Sequence, residues 1–492
     1  MSAAQLTEDL IDADAGPHRD RSWRPPLRCA ARRNHRSGAD QSGEVGRVRV
    51  ERSDLRNWMP AGGDDGSFSC RRAAHDRSQL AAQLANAECS CKPFCFDLGV
   101  HVCTQADLHR SAQVVIIVLM NFAFTDEQEE LRKTVRAFLE AKSSEEAVRE
   151  QMETDDGYDK AVWTQMAEQM GLQGLHIPEE YGGSGFGYVE LGIVLEEMGR
   201  SLLCAPFFSS VVLAANTLIL SDDEAAKKAY LPGIASGETI ATVAFTEPNG
   251  KWDESGIEAT ATASGDSYTI SGTKSFVIDG SIANLIIVAA KTSAGTSLFA
   301  VEGDASGLTR TALSTMDQTR KQAKLEFSNT PATLIGTDGK GWDILSATLD
   351  LVAIGLAAEQ VGGAQMVLDM AVEYAKVRVQ FGRPIGSFQA IKHKFADMYV
   401  ALELARSNAY YGAWALSSDA PDLPLAAATA RVSASDAYYL VTKENIQAHG
   451  GMGFTWEFDC HLYYRRAQLL SGLIGSQPQW KEKLVTRLLQ AA

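Results

Sequence analysis

Apolar positions along residues 125–143 recur at helical spacing. Leu131, Val135, Phe138 and Leu139 share one stripe, with Thr125 placed to cap the first turn and Glu127 and Glu129 inside it. A second helical pattern covers 159–171 through Val162, Met166 and Met170, and stops at Gly171. The stretch HIPEEYGGSGFG, with Pro178 and glycines from Gly182 to Gly187, reads as a loop. Helical spacing resumes at Tyr188–Met198 and at 223–236. From about Thr239 the period falls to two. TIATVAFTEP, the run from Gly256 to Gly280, NLIIVAAKT and TSLFAVEG are short segments rich in Val, Ile, Thr and Phe, separated by Gly, Asp and Ser. After Trp342 the helical period returns, with helices expected at 342–377, 388–417, 424–448, 459–471 and 478–490. Successive long helices with apolar stripes make a bundle. The predicted fold is therefore mainly α with a β domain: an N-terminal helical domain at 120–238, a middle β domain at 239–341 and a C-terminal helical bundle at 342–492.

Residues 1–119 carry neither period. Their composition also differs: 15 Arg to a single Lys, Lys92, six of the eight cysteines and a net charge near +1, against −17 for the remainder. The expectation is a poorly ordered extension, or upstream sequence read through from a mis-assigned start, with Met120 opening the functional unit. The apolar run Val114–Leu119 is far short of the roughly 20 residues of a membrane span. Cys89, Cys91, Cys95 and Cys103 do not follow a zinc-knuckle spacing, so no metal is expected. The overall charge of −16 repels phosphate backbones, so no nucleic-acid partner is expected. Cys204 and Cys460 read as lone, reduced core thiols, as in cytosol, and Met366 and Met370 as bundle core.

No P-loop, zincin motif, G-x-S-x-G elbow or dinucleotide fingerprint occurs. Two stretches carry candidate chemistry. In RVQFGRPIGSFQ, Arg378 ends one helix and Gln389 opens the next. An arginine there can pair with a diphosphate while Phe381 offers an aromatic face; the plainer reading is a helix hairpin with a solvated Arg378. In QAHGGMGF, Gln447 precedes Gly450 and Gly451, whose backbone N–H groups can approach a phosphate; the plainer reading is a helix C-cap. His449 and His393 read as packing or capping groups.

From Met120 onward the chain resembles the acyl-CoA dehydrogenases. The resemblance rests on AFTEP (Phe245–Pro248 with the preceding Ala244), ISGTKSFVIDG (Ile270–Gly280) and the two stretches above, in the family's order. It implies a middle domain like a β-barrel, a C-terminal four-helix bundle and FAD between them. Phe245, Thr246, Phe276 and Ile278 would lie along the flavin. Gly272 and Lys274, in the same landmark, would serve the strand turn. Arg378, Phe381 and Gln389 would reach the FAD of a neighbouring subunit, and Gln447 and Gly451 would hold its diphosphate. The implied protein is a cytoplasmic homotetramer or heterotetramer that introduces a 2,3 double bond into an acyl-CoA and passes electrons to an electron-transferring flavoprotein, with no membrane partner.

One family feature is missing. The carboxylate that removes the proton next to the thioester usually follows the last landmark, or in a minority lies on the first bundle helix. The corresponding positions here are Ile474 and Val352, which cannot accept a proton. Asp350, Glu359 and Glu457 are the candidates nearby. The alternatives are a partner subunit that supplies the base to a non-catalytic FAD-binding chain, or a different flavin reaction such as a monooxygenase. Arg466, where the family usually has Asp, is a further departure.

Overall fold

The computed structural model describes residues 124–491 apart from 266. Residues 1–119, with their four closely spaced cysteines and the 114–119 run, lie outside the described residues. The N-terminal part holds α1 (Asp126–Lys142), α2 (Glu145–Glu153), α3 (Lys160–Glu168), α4 (Tyr188–Arg200), a π-helix (Phe208–Ala215) that runs on as α5 (Asn216–Ile219), and α6 (Glu224–Ala235). Thr125 and Gln128 form the expected capping box, with bonds of 3.0 and 3.2 Å. Neither α2 nor the π-helix is among the expected helices, although Ser144 caps α2 and its buried Val148 and Met152 lie one turn apart. All eight residues of the π-helix are buried, Ser209 and Ser210 included, so no exposed face leaves a period to read.

The middle part is a sheet of seven strands: β1 (Ala241–Ala244), β2 (Thr260–Ser264), β3 (Ser267–Ile278), β4 (Leu285–Lys291), β5 (Thr296–Glu302), β6 (Leu308–Leu313) and β7 (Gln322–Ile335). The order β1-β4-β2-β3-β7-β5 is closed by pairing of β5 with β4, and β6 is added to β7. The closure makes it a barrel, as expected. Leu285 to Ala290 on β4 are buried without alternation because the strand is covered on both faces.

The bundle comprises α7 (Gly341–Val377), α8 (Gln389–Ser417), α9 (Leu423–His449), α10 (Cys460–Gly472) and α11 (Gln477–Ala491). Between α7 and α8 a small hairpin pairs β8 (Val379–Gln380) with β9 (Arg383–Pro384). Helix α7 has 37 residues, so it runs about 55 Å and touches α4, α8, α9, α10, β5 and the π-helix. It is apolar and long enough to cross a membrane, yet 83% of its most apolar window is buried inside the fold.

Glycines set the contact between α4 and α7. A Cβ on Gly362 would lie 1.7 Å from the carbonyl oxygen of Glu196, and one on Gly199 would lie 2.0 Å from that of Glu359. The two backbones therefore touch, and no side chain fits between them. Gly362→Ala is expected to destabilise the protein by about 3 kcal/mol or more, since neither helix can withdraw. Urea unfolding measures this; a loss below about 1 kcal/mol would show that the helices separate easily.

Candidate functional site

The first group of expected cofactor residues lies along β1 and β3. Phe245, Thr246 and Ile278 are buried, whereas Phe276 is 57% exposed. A register shift in β3 between Lys274 and Val277 re-aims Phe276, which takes a left-handed φ of 55°. Thr246 secures the shifted backbone: its carbonyl accepts from the Ser275 N–H at 2.9 Å, and its hydroxyl donates to the Ser275 carbonyl. Thr242 donates to the Ile278 carbonyl at 2.7 Å. An aromatic face thus stands in the open on a backbone held from both sides.

Gly272 and Lys274 do not serve a strand turn. Both sit within β3. Gly272 has φ 149° and lies so close to Ala259 that a Cβ would meet its Cβ at 2.6 Å. Lys274 is fully buried and pairs with Glu247 at 2.6 Å, and Glu247 also accepts the Glu258 and Ala259 N–H groups. Burial pushes the Lys274 ammonium down to about 8, against the pull of Glu247. The pair fastens the segment after β1 to the barrel.

The second group gathers at the ends of α7 and α9. Arg378 caps α7 and is exposed. Phe381 and Gly382 form the two-residue turn of the β8–β9 hairpin with φ of 55° and 83°, a turn twist that matches the strands. Phe381 stands 94% exposed at its tip, against the edge of Phe388 at 6.2 Å. Gln389 is exposed at the start of α8 and Gln447 near the end of α9. His449 stacks on Tyr374 at 3.9 Å and ties these helix ends together. Arg378 and Gly451 share a cleft of about 390 Å³ with Tyr374, Gln380, Ile385 and His449. A Cβ on Gly451 would meet nothing within 4 Å, so its backbone is approachable. Among the described residues, no hydrogen bond or ring contact joins this group to the first.

The places where a base is expected are closed. Val352 is 0% and Ile474 3% exposed. The Ile474 carbonyl accepts from the buried Trp480 indole at 3.1 Å, which binds α11 under this loop. Asp350 is held by both oxygens to Arg487 at 2.9 Å. Burial pushes its carboxyl up, opposed by Arg487. Glu457 is exposed on the rim of a 460 Å³ cleft with Asp459 and Glu145. Met366 and Met370 are half-buried: they pack against the hydrophobic core and also line that cleft. His449 is buried as expected of a packing residue, while His393 is exposed on α8.

Glu359 lies in a buried lattice of ions. Arg320, in the turn before β7, pairs with it at 2.9 Å, and Arg466 of α10 at 2.7 Å; Arg466 also pairs with Asp317 at 2.7 Å and bonds to Thr319. Burial alone would lower Arg466, but Asp317 and Glu359 outweigh it and raise its pKa above the usual arginine value. Sequence reasoning flagged Arg466 as a departure without finding its partners, and passed over Asp279, although both sit in or beside quoted motifs. Asp279 is buried and accepts a hydrogen bond from Ser209 of the π-helix at 2.6 Å. Among the described residues no group of His, Cys, Asp and Glu could hold a metal ion.

Arg466→Met leaves two buried carboxylates short of a cation. A loss of about 3–5 kcal/mol in urea unfolding is expected; a neutral outcome would mean that the lattice is solvated.

Family models match along the described chain in order: the acyl-CoA dehydrogenase N-terminal domain at 125–238, middle domain at 242–330 and C-terminal domain at 339–479. The chain is 36% identical over 352 residues to the acyl-CoA dehydrogenase IpdE2 of Mycolicibacterium smegmatis, covering 71% of this chain and 95% of that one. Among solved structures, a Tcur3481–Tcur3483 steroid ACAD variant is similar with TM-score 0.68 and 29% identity over 74% of this chain and 98% of that one. The ChsE4–ChsE5 complex of Mycobacterium tuberculosis is similar with TM-score 0.69 and 28% identity over 75% and 99%. With three matched domains and a barrel set between a helical domain and a bundle, the chain belongs to the acyl-CoA dehydrogenases, FAD-dependent oxidoreductases that act on CH–CH groups.

Proposed function

We propose that this chain is one subunit of a heterotetrameric, cytoplasmic acyl-CoA dehydrogenase that forms a 2,3 double bond in a bulky acyl-CoA, with a homologous subunit supplying the base. The observation that carries this reading is the pair of sealed aliphatic side chains, Ile474 and Val352, where the family places its carboxylate. Of the nearby acids, Glu359 is gripped by two arginines and Asp350 by one, and Glu457 faces a cleft that neither Ile474 nor Val352 lines. The names of similar proteins point the same way: a steroid ACAD and a complex of two chains.

The residues present fit FAD. An open aromatic at Phe276, a cation at the end of α7 and an unobstructed glycine backbone at Gly451 suit a flavin ring and a diphosphate. When bound, the cofactor supplies the hydride acceptor. The chain's own residues bind and orient it: Phe245, Thr246, Phe276 and Ile278 against the ring, and Arg378, Phe381, Gln389, Gln447 and Gly451 toward the diphosphate and adenosine of a neighbour's cofactor. Among the described residues no hydrogen bond or ring contact joins the two groups, and in this reading the site is completed between subunits. An electron-transferring flavoprotein is the acceptor in this reading.

The chain purified alone is expected to show little ferrocenium reduction with acyl-CoA, and to gain it on co-expression with a homologous subunit. Full turnover by the lone chain would overturn the heteromer. In the flavin-loaded chain, Ile474→Glu is expected to raise turnover by about 10²-fold, the usual scale for a positioned base. Unchanged turnover would place this loop away from the substrate.

A further inference from the structure

Seven carboxylates are buried among the described residues: Glu196, Glu197, Glu247, Asp279, Asp317, Asp350 and Glu359. Six of them have an arginine or lysine within ion-pair distance. Asp279 has none. One oxygen, Oδ2, accepts the Ser209 hydroxyl at 2.6 Å, and the other accepts no hydrogen bond from a described residue.

The surroundings explain why it stays unpaired. Arg320, before β7, and Arg466, on α10, attract Asp279 at longer range, but Glu359 binds both, and Asp317 also binds Arg466. Lys321 offers only its carbonyl, which the Asp279 N–H meets at 3.0 Å; its ammonium donates to Met152. Tyr158, after α2, is the remaining titratable neighbour. An unpaired buried carboxylate is costly, and so is its left-handed backbone, φ 52°. Both costs fall on the residue that directly follows Ile278. Such costs persist where function uses them.

We propose that Asp279 tunes the potential of the cofactor: its lone carboxylate, anchored by Ser209 at the end of the flavin-facing strand, binds a proton when the flavin is reduced. This rests on the FAD reading above. A bound flavin that accepted a hydride, two electrons with one proton, would gain one negative charge. That charge disfavours the neighbouring carboxylate, which takes one further proton from solvent. Burial, opposed by Ser209 and the two arginines, already pushes Asp279 up to about 6. Below that pH the carboxyl is neutral in both redox states; above it, up to the higher pKa that the reduced flavin imposes, the extra proton appears.

The test is the midpoint potential of the flavin-loaded protein against pH. From about pH 6 up to the raised pKa of the reduced state, the wild type is expected to fall more steeply than Asp279→Asn by about 30 mV per pH unit, the value of one proton in a two-electron couple. Below that range the slopes are expected to agree. Ser209→Ala keeps the carboxylate but removes the donor that favours its charged form, so the change of slope is expected to move to higher pH. Parallel lines for wild type and Asp279→Asn would overturn the proposal, as would a break unmoved by Ser209→Ala. Protein that takes up no FAD, followed by flavin absorbance, would overturn the FAD reading and this proposal together; loaded protein with an unaltered slope would overturn this proposal alone.

Discussion

Glu359 is the point at which the three layers of the molecule meet. Its backbone carbonyl touches Gly199, which brings α4 against α7. Its carboxylate takes Arg320 from the barrel and Arg466 from α10. A buried acid facing two buried arginines is stable only if every charge has a partner, and Asp317 supplies the last one. The packing of hydrocarbon fixes how close the helices come, and the ion lattice fixes their rotation and register relative to the barrel. Everything nearby inherits that placement, including the Phe276 segment of β3 and the α10 helix that leads to the Ile474 loop.

The proposed division of the reaction between chains would leave this frame intact. The loop that would carry a base is locked by the Trp480 indole, and α11 is locked in turn by Arg487 on Asp350. An aliphatic residue at Ile474 completes an apolar seal there. In the proposed reading, the frame of that loop is kept while packing stands where a proton acceptor would be.

The fold was largely legible because its signals are local. Period 3.6, then 2, then 3.6 marked helix, strand and helix, and the barrel and bundle appear as expected. Arg378, Phe381 and Gly451 could be picked out for the same reason: a helix end, a turn and a glycine pair are contiguous features. The π-helix was invisible because it is buried on every side. Lys274 was misplaced because its partner Glu247 lies 27 residues away across the barrel. The Ser209–Asp279 bond spans 70 residues and Arg466–Asp317 spans 149, and such charge pairings obey no spacing rule. The aliphatic residues Ile474 and Val352 could be read directly from the sequence, but their burial could not.

The hairpin bearing Phe381 has one more implication. A rigid two-residue turn that holds an aromatic ring almost wholly in water spends no ordering entropy when something covers it. In the proposed assembly that cover is a cofactor held mainly by another chain. Cofactor retention and subunit association then become one linked equilibrium, in which each raises the apparent strength of the other by mass action. Dilution alone would bleach such a protein: its colour would fade with concentration, long before any helix unfolded.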